Sequence, residues 1–364
     1  MSSFAERADR LAGLVAEREL DLLIVSDLVN VRYLTGFTGT NAIVVLGADL
    51  RVFGTDFRYH ERVKSQLADY DVRRAVADIL EIPAKVVEDR RDGTAPRVGF
   101  DDAHLTVRAH RRLAELVDGG AELLPAGGLV EALRAVKDAD EVARMRQAAA
   151  LAAEIYEWLV AVHGLAGHTE RAVAVALERR GIDLGAEAVS FPPIVAAAHN
   201  GAFPHAVSRE VEIPRDTLVV VDLGFQLDGY CSDCTRTYAT GAVDEEASSV
   251  YSLVQEAQTA ALASARAGIG RRELDGVARQ IISDGGHGEE FAHGLGHGVG
   301  LEVHEEPRLT VRAEGELVAG NAVTIEPGVY LPGRFGVRIE DLVVITEDGC
   351  EVLTPTSKEL TVVE

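Results

Sequence analysis

The first third of the chain alternates short apolar runs with amphipathic stretches. Strands are predicted at Leu20–Ser26, Asn41–Leu46, Leu50–Gly54, Val72–Val76 and Arg97–Phe100. Helices are predicted over residues 5–19, 77–88 and 105–118, with a short helix or turn at 30–37. Because strands and helices alternate, the pattern indicates an α/β domain.

The segment Ala121–Gly128 (AELLPAGG) interrupts this pattern with proline and paired glycines. We therefore expect two domains, residues 1–128 and residues 129–364. Asp138 and Glu141 then form a capping-box pattern, which predicts the start of a long helix that runs through Val162 and closes at Gly164.

Beyond Gly181 the chain changes to short β segments broken by glycine and proline. The predicted elements are a helix at 169–180, β segments at Ile194–Ala198, around His205, Leu218–Gly224 and Cys231–Ala239, helices at Glu245–Ala267 and Arg271–Ser283, and strands from Gly294 onward. The order helices, strands, helices, strands indicates an α+β domain with a duplicated half, although no sequence repeat is visible.

The stretch Val219–Thr237 (VVVDLGFQLDGYCSDCTRT) predicts a β-hairpin with two aspartates, Asp222 and Asp233, on its strands. With a loop at Asp228-Gly229, Asp222 faces Thr235; with a turn one residue earlier, it faces Asp233. Both registers put the two carboxylates on one face, where they repel each other unless a cation compensates. An aspartate pair on a solvated surface hairpin is the alternative.

Composition limits the possible functions. The chain has 364 residues, 47% of them hydrophobic, which is enough for two cores. Its 59 acidic residues outnumber 36 basic ones, which argues against a nucleic-acid partner. The amphipathic N-terminal stretch lacks the features of a signal peptide, and no apolar run approaches the roughly 18 residues that span a bilayer. We expect a cytoplasmic protein without a membrane partner.

Three cysteines, Cys231, Cys234 and Cys350, are too few for a secreted disulfide framework. The first two form a C-x-x-C pattern, but it falls within a predicted strand, whereas the redox motif belongs at the start of a helix. We interpret these cysteines as small strand residues.

A second group of polar residues lies between His293 and Glu305 (HGLGHGVGLEVHE). Its alternating glycines make a helix improbable, so His293 and His297 would lie roughly 13 Å apart in an extended chain and at most one of them binds a given ion. The glycines also indicate that backbone passes close to another group. A glycine-rich turn with hydrogen-bonded histidines is the alternative.

A third group consists of Glu326, in TIEPGVY, and Glu340, in VRIED. Each acid ends or interrupts a β-rich segment, and a turn rich in glycine and proline separates the two. This repeats the arrangement of the aspartate pair. Either acid alone is more often an exposed strand residue than a ligand, so only the joint arrangement favours a site.

Together these groups supply four carboxylates, and one histidine makes five protein ligands. Such an oxygen-rich set favours hard or borderline ions such as manganese, cobalt or iron over structural zinc. Four negative charges balance two divalent cations, and Arg338 is placed to offset a further negative charge.

The ordered motifs VDLGFQLDGYCSDCTRT, HGLGHGVGLEVHE, EPGVY and RIED resemble those of the metal-dependent Xaa-Pro peptidases, prolidase and aminopeptidase P. The resemblance extends to NVRYLTGF, typical of the family's creatinase-like N-terminal domain, and to AAAHNGAFPHA. It implies an α/β creatinase-like N-terminal domain followed by an α+β pita-bread catalytic domain. Cys234 departs from the family, whose members often carry methionine or another apolar residue there.

The resemblance also implies roles for individual residues. The five metal ligands would be Asp222, Asp233, His297, Glu326 and Glu340. Asp233 and Glu340 would bridge two ions, Asp222 would hold one, and His297 with Glu326 would hold the other. Glu326 would also shuttle a proton. The residues that contact substrate or support the site would be His205, His293, His304, Tyr330 and Arg338.

The implied activity is that of an exopeptidase that cleaves the Xaa-Pro bond of dipeptides or short peptides with two divalent ions. Manganese is expected first, with cobalt, iron or zinc as alternatives, and the family's habit implies a homodimer. We favour a dipeptidase, with an aminopeptidase acting on longer peptides as the main alternative. Remote alternatives are a metal-free creatinase-like hydrolase and a non-catalytic binding protein. The N-terminal 130 or so residues argue against methionine aminopeptidase.

Overall fold

The computed structural model describes residues 3–90 and 93–364. The chain divides into two units, the first ending at Arg134 and the second spanning Ala135–Glu364. The sequence placed this division after residue 128. The difference arises because the helix Leu129–Arg134 belongs to the first unit, where Arg134 Nη1 donates to Asn30 Oδ1 at 2.8 Å.

The first unit is an α/β domain built on one six-stranded sheet. Its strands are β1 (Leu22–Val25), β2 (Ala42–Gly47), β3 (Leu50–Thr55), β4 (Asp71–Arg74), β5 (Arg97–Phe100) and β6 (Glu122–Pro125). Its helices are α1 (Ser3–Glu17), α2 (Leu28–Thr35), α3 (His60–Lys64), α4 (Glu81–Asp89), α5 (Val107–Val117) and α6 (Leu129–Arg134). The strand order is β4-β3-β2-β1-β5-β6, with β2 antiparallel to β1 and β3 and the outer strands parallel to their neighbours.

Burial and strand pairing in this sheet explain two patterns of its sequence. Every residue of β1 and β2 is buried, which is why both strands are continuous apolar runs. The segment Ala121–Gly128, predicted as an interruption, contains β6 instead. Its main chain pairs with β5, since Leu123 and Leu124 align with Val98 and Gly99.

The second unit has two successive sets of helices and strands. Its helices are α7 (Ala139–Trp158), α8 (Glu170–Asp183), α9 (Glu245–Ser264) and α10 (Arg271–Asp284). Its strands are β7 (Ala188–Val189), β8 (Ile194–Ala197), β9 (Leu218–Leu223), β10 (Phe225–Leu227), β11 (Tyr230–Cys231), β12 (Cys234–Ala239), β13 (Gly296–Gly298), β14 (Glu305–Leu309), β15 (Ala322–Ile325), β16 (Gly328–Leu331), β17 (Phe335–Arg338), β18 (Asp341–Ile345) and β19 (Cys350–Val352). The predicted order of helices and strands is confirmed.

Each set has its own hydrophobic core. Helices α7 and α8 share a core with the sheet β12-β9-β8, in which Ile155 and Leu177 join Val221. Helices α9 and α10 share another with the sheet β14-β13-β15-β18-β19, in which Val254 and Leu274 are members. The smaller sheets are β11-β10-β7 and β16-β17.

The predicted capping box of α7 is confirmed, because the Asp138 side chain accepts from the Glu141 backbone N–H and the Glu141 side chain accepts from that of Asp138. The helix passes into a π-helical turn, Leu159–His163, and ends at Gly164. No helix in the described part of the chain is long and apolar enough to cross a membrane.

The hairpin adopts one of the two predicted registers. Asp222 pairs with Thr235, and the turn residues Asp228 and Gly229 have φ values of 48° and 83°. However, Asp233 does not lie on a strand, because the predicted strand Cys231–Ala239 is interrupted at Ser232 and Asp233.

The cause of this interruption is local. The Ser232 hydroxyl accepts from the Phe225 N–H at 3.0 Å, and the Ser232 N–H donates to Phe225 O at 2.9 Å. A Cβ at Gly224 would lie only 2.0 Å from Ser232 O. The serine side chain therefore replaces part of the strand ladder, and glycine is required opposite it.

The β segment predicted around His205 is also wrong. Strand β8 ends at Ala197, a 3₁₀ turn follows at Ala198–Ala202, and His205 lies in the loop beyond it. The cysteine prediction is confirmed, since Cys231 and Cys234 are buried, free strand residues and Cys350 begins β19.

Candidate metal centre and active site

The five predicted ligands meet in the second unit, mostly at strand ends. Asp222 is in β9 and Asp233 precedes its antiparallel partner β12. Glu326 follows β15 and Glu340 precedes its partner β18. His297 is the middle residue of β13. All five line one cavity of about 470 Å³.

Three of these residues form a compact group. Asp233, His297 and Glu340 each offer one ligand atom, and these atoms lie within 4.8 Å of one another. His297 Nε2 is 3.7 Å from Asp233 Oδ2 and 3.2 Å from Glu326 Oε1. Its Nδ1 lies 3.0 Å from Gly298 O, to which it donates, so Nε2 is directed at the carboxylates.

The fifth residue, Asp222, is held by Arg338. Its Oδ2 accepts from Arg338 Nη2 at 2.6 Å, whereas its buried Oδ1 has no hydrogen-bond partner among the described residues. Buried carboxylate oxygens are rarely left unsatisfied. The free Oδ1 and the four-carboxylate, one-imidazole set therefore fit a hard or borderline divalent ion.

Two buried threonines, which the sequence analysis missed, hold two of the carboxylates. Thr235 Oγ1 donates to Glu340 Oε2 at 2.7 Å and accepts from Arg338 Nε at 2.9 Å. Thr324 Oγ1 donates to Glu326 Oε1 at 3.0 Å and accepts from the His297 N–H at 3.0 Å. Each threonine is two residues from a predicted ligand in the chain, Thr235 from Asp233 and Thr324 from Glu326.

The crowding of acids shifts their pKa values. Burial raises the pKa of Asp233, Glu340 and Asp222, and repulsion from neighbouring carboxylates adds to the effect. Burial also opposes ionisation of Glu326, but the hydrogen bond and charge of His297 outweigh it and lower the Glu326 pKa to about 2. Protons or cations must therefore balance the other three acids.

A hydrogen-bonded chain runs from Arg338 to His293. Arg338 Nη1 donates to Tyr330 Oη at 2.9 Å, and Tyr330 Oη lies 3.1 Å from His293 Nε2. His293 Nδ1 lies 2.8 Å from Gly294 O, which can only accept. Burial lowers the pKa of His293. In the neutral ring Nδ1–H donates to Gly294 and Nε2 accepts from Tyr330, so both nitrogens are occupied.

The other two predicted histidines lie at the rim of the cavity. The His304 ring packs edge-on against His297, with centroids 4.4 Å apart. Partial removal of water and the neighbouring His297 lower the pKa of His304 to about 4. His205 lies next to Pro204, whose carbonyl accepts from Arg338 Nη1 at 3.1 Å.

The glycines around His297 allow neighbouring backbone to pass close to this strand, as the sequence predicted. A Cβ at Gly296 would lie 2.0 Å from Thr324 O, and one at Gly298 would lie 2.2 Å from Glu306 O. Strand β13 runs between β14 and β15, so the alternative of a glycine-rich turn is wrong for this segment. Only glycine allows these backbones to approach so closely.

Sequence reasoning also missed part of the cavity wall. Phe191, Pro192 and Ile194 give it an apolar side, and Arg308 lies at the opening. Within the described residues the Arg308 guanidinium makes no hydrogen bond or ion pair. Arg308 lies three residues beyond the segment HGLGHGVGLEVHE, and no sequence signal separates it from other surface arginines.

Comparison with known proteins agrees with this geometry. A sequence model described as metallopeptidase family M24 matches residues 143–347, and one described as the creatinase/prolidase N-terminal domain matches residues 7–136. The Xaa-Pro dipeptidase of Pyrococcus furiosus is 33% identical over 98% of this chain and 99% of its own length.

Solved structures are also similar. The Xaa-Pro dipeptidase from Bacillus anthracis has a TM-score of 0.94 and 36% identity, covering 99% of this chain and 100% of that one. The X-Pro aminopeptidase from Thermotoga maritima has a TM-score of 0.88 and 33% identity, covering 98% and 99%. The expected fold is confirmed, and the chain belongs to metallopeptidase family M24, with an N-terminal domain of the creatinase/prolidase type.

Proposed function

We propose that this protein is a two-metal exopeptidase that hydrolyses the bond between a first residue and proline, with dipeptides as preferred substrates. The observation that carries the proposal is the convergence of four carboxylates and one imidazole on a single cavity. The similarity to Xaa-Pro dipeptidases from Pyrococcus furiosus and Bacillus anthracis supports it.

The metal centre is assigned to five residues. Asp233 and Glu340 would contact both ions, Asp222 would hold one, and His297 with Glu326 would hold the other. Manganese is proposed first, with cobalt, iron or zinc as alternatives. When bound, such a pair of ions lowers the pKa of water and polarises the scissile carbonyl.

Three side chains are proposed to act on the substrate. Glu326 would accept the proton of the attacking water and pass it on, as the resemblance to the Xaa-Pro peptidases implies. His304, neutral at pH 7, would donate an N–H to the oxygen that gains charge in the transition state. His205 would lie beside the leaving nitrogen of proline.

His293 receives a different role from the one first expected. The resemblance to the Xaa-Pro peptidases placed it among the residues that contact substrate or support the site. Because its two nitrogens are hydrogen-bonded to Gly294 O and Tyr330 Oη, we propose that it holds Tyr330, and through it Arg338, in place.

The cavity wall supports the substrate class. An Xaa-Pro bond has no amide N–H, so the proline ring needs an apolar surface rather than a hydrogen-bond acceptor. Phe191, Pro192 and Ile194 provide such a surface. The unpaired Arg308 at the opening would bind the carboxylate of a C-terminal proline, which favours dipeptides over longer chains.

The main alternative is an aminopeptidase that acts on longer Xaa-Pro peptides, and the similarity to the Thermotoga maritima enzyme supports it. The complete set of five ligand side chains disfavours a metal-free creatinase-like hydrolase and a non-catalytic binding protein. A cytoplasmic location and a homodimer remain predictions from the sequence. Light scattering after gel filtration tests whether the protein is a dimer.

The deciding experiment compares kcat/KM for Xaa-Pro and Xaa-Pro-Yaa substrates in protein loaded with manganese. We expect faster cleavage of the dipeptide. Arg308→Ala should raise KM for Xaa-Pro by about tenfold while leaving Xaa-Pro-amide unchanged, since one charged pair contributes about 1.4 kcal/mol or more. A preference for the tripeptide favours the aminopeptidase. Absence of cleavage with every metal tested rejects the proposal.

A further inference from the structure

The loop that carries His205 is anchored by a buried carboxylate outside the proposed metal centre. Glu170, the first residue of α8, is only 1% exposed. Its Oε1 accepts from the Ala197 N–H at 2.9 Å, at the end of β8. Its Oε2 accepts from the Arg209 N–H at 2.9 Å, on the far side of the loop. One carboxylate therefore joins the two ends of the segment 197–209.

Two further side chains complete this anchor. The Arg209 guanidinium binds Glu170 through Nη2 at 3.0 Å and Nε at 3.1 Å. Asn200 Nδ2 donates to Glu170 Oε2 at 2.9 Å and to Val207 O at 3.1 Å, across the loop. Five donated hydrogen bonds satisfy both oxygens of Glu170, and charge-assisted bonds of this kind are among the stronger ones in proteins.

At the tip of the loop the larger apolar side chains are exposed, although Ala206 is buried. Phe203 and Val207, on either side of His205, are 59% and 76% exposed. The Pro204 carbonyl accepts from Arg338, which also binds the Asp222 carboxylate. Because apolar burial contributes little here, the position of His205 depends on these polar anchors.

We propose that Glu170 is a positioning residue that sets His205 at the rim of the active-site cavity. The role of His205 in this proposal rests on the proposed function, whereas the anchoring of the loop by Glu170 does not. Glu170 touches neither the five ligand side chains nor the cavity, so it acts through the loop. Its effect on catalysis should therefore disappear when His205 is removed.

The test is a double-mutant cycle with metal-loaded protein. Glu170→Gln is made in the wild type and in His205→Ala, and kcat/KM for Xaa-Pro is measured in all four proteins. The substitution places an N–H₂ group against at least two donors, so the anchor cannot be rebuilt. Arg209→Ala, which removes only the guanidinium, is a second and milder variant. Glu178→Gln, exposed on the same helix, is the matched control.

We expect Glu170→Gln to lower kcat/KM about tenfold in the wild type, since small misplacement of a reacting group costs that much or more. In the His205→Ala background the loss should fall below about twofold by the same reasoning. Metal content should stay unchanged. Equal losses in both backgrounds, or full activity of Glu170→Gln, overturn the proposal. Should Glu170→Gln fail to fold, the Arg209→Ala cycle decides in the same way.

A second readout does not require peptidase activity. Amide hydrogen exchange is compared by mass spectrometry between wild type, Glu170→Gln and Glu178→Gln. Faster exchange confined to residues 198–208 supports the anchor even if no Xaa-Pro substrate is cleaved. Unchanged exchange in this segment, or faster exchange spread over the second unit, contradicts it.

Discussion

Single residues in the candidate centre differ in how firmly they are oriented. Glu340 and Glu326 each accept from a buried threonine, and Asp222 is held by Arg338. Asp233, in the break between β11 and β12, is beyond hydrogen-bond distance of its neighbour His297, at 3.7 Å. A carboxylate that faces other carboxylates so closely needs a cation in between. Asp233 is therefore the residue for which metal binding should matter most.

The first prediction concerns Asp233→Ala. Because Asp233 is assigned to both ions, the variant should lose metal and activity together, while its fold is retained. Metal content after dialysis is measured by plasma mass spectrometry, alongside the rate on Xaa-Pro. Asp348→Ala, at an exposed position in the turn before β19, is the control and should keep both. Two tightly held ions in Asp233→Ala would count against the bridging role.

A second prediction separates His304 from the ligands. His304→Ala should keep its metal but lose about 10²-fold or more in kcat, the usual effect of removing one transition-state donor. Its neutral ring at pH 7 follows from a pKa lowered to about 4. His304→Gln, which keeps an N–H donor, should recover part of the rate. A normal rate in His304→Ala removes the residue from the mechanism.

At the scale of elements, strand β13 determines where His297 lies. The strand is hydrogen-bonded to β14 on one side and β15 on the other. Gly296 and Gly298 let their backbones approach without clashes. Side chains alternate between the two faces of a strand. Gly296 and Gly298 therefore lie against the neighbouring backbones, while the His297 side chain between them points to the carboxylates.

The third prediction is that Gly296→Ala damages both stability and metal binding. Its Cβ would lie 2.0 Å from Thr324 O, a backbone atom, so β13 must move away from β15. We expect a loss of about 1–3 kcal/mol in the free energy of unfolding, typical of overpacking. Metal affinity should fall too.

The matched control for this prediction is Gly276→Ala. Gly276 is an exposed residue of α10, and among the described residues no atom beyond the adjacent helix backbone lies within 4 Å of the position that an added Cβ would take. Alanine there should stabilise the helix by about 0.5–1 kcal/mol. Denaturant unfolding measures both variants. A Gly296→Ala protein as stable as the wild type would mean that the two strands can separate without cost.

For the whole molecule, the centre concentrates negative charge in a chain that is already acidic, with a formal net charge of −23. Burial raises the pKa of Asp233 and Glu340 above their ordinary values. An acid whose pKa is higher in the folded than in the unfolded protein contributes stability at pH values below its unfolded-state pKa of about 4. This contribution is lost as pH rises through the folded-state pKa.

The fourth prediction follows from this linkage. Protein stripped of metal should lose thermal stability between about pH 5.5 and pH 8.5, because the buried acids must then ionise without a counter-ion. Added divalent metal binds the folded state and should raise Tm, more at the higher pH than at the lower. Calorimetry at both values measures the difference. If the rise in Tm caused by added metal becomes smaller as pH rises, the proposed balance between metal ions and buried acids is wrong.

The sequence by itself determined the local elements and the choice of chemistry. Apolar patterning and the capping box at Asp138 predicted α7, α9 and α10 to within a few residues, and Asp228-Gly229 predicted the hairpin but left two registers open. The ordered motifs identified five side chains that the fold brings into one cavity. The elements are short-range properties, encoded by neighbours along the chain, whereas the ligand set follows from the resemblance to a family.

Only the tertiary structure decided which groups meet. It moved Asp233 off its strand, occupied both nitrogens of His293, and placed Thr235, Thr324 and Arg308 beside the cavity. It also set Glu170 beneath the His205 loop. Apart from the local break at Ser232 and the contact of His293 with Gly294, these contacts join segments far apart in sequence, through hydrogen bonds that depend on register and close packing. Local periodicity records which face a residue occupies but not which distant residue faces it.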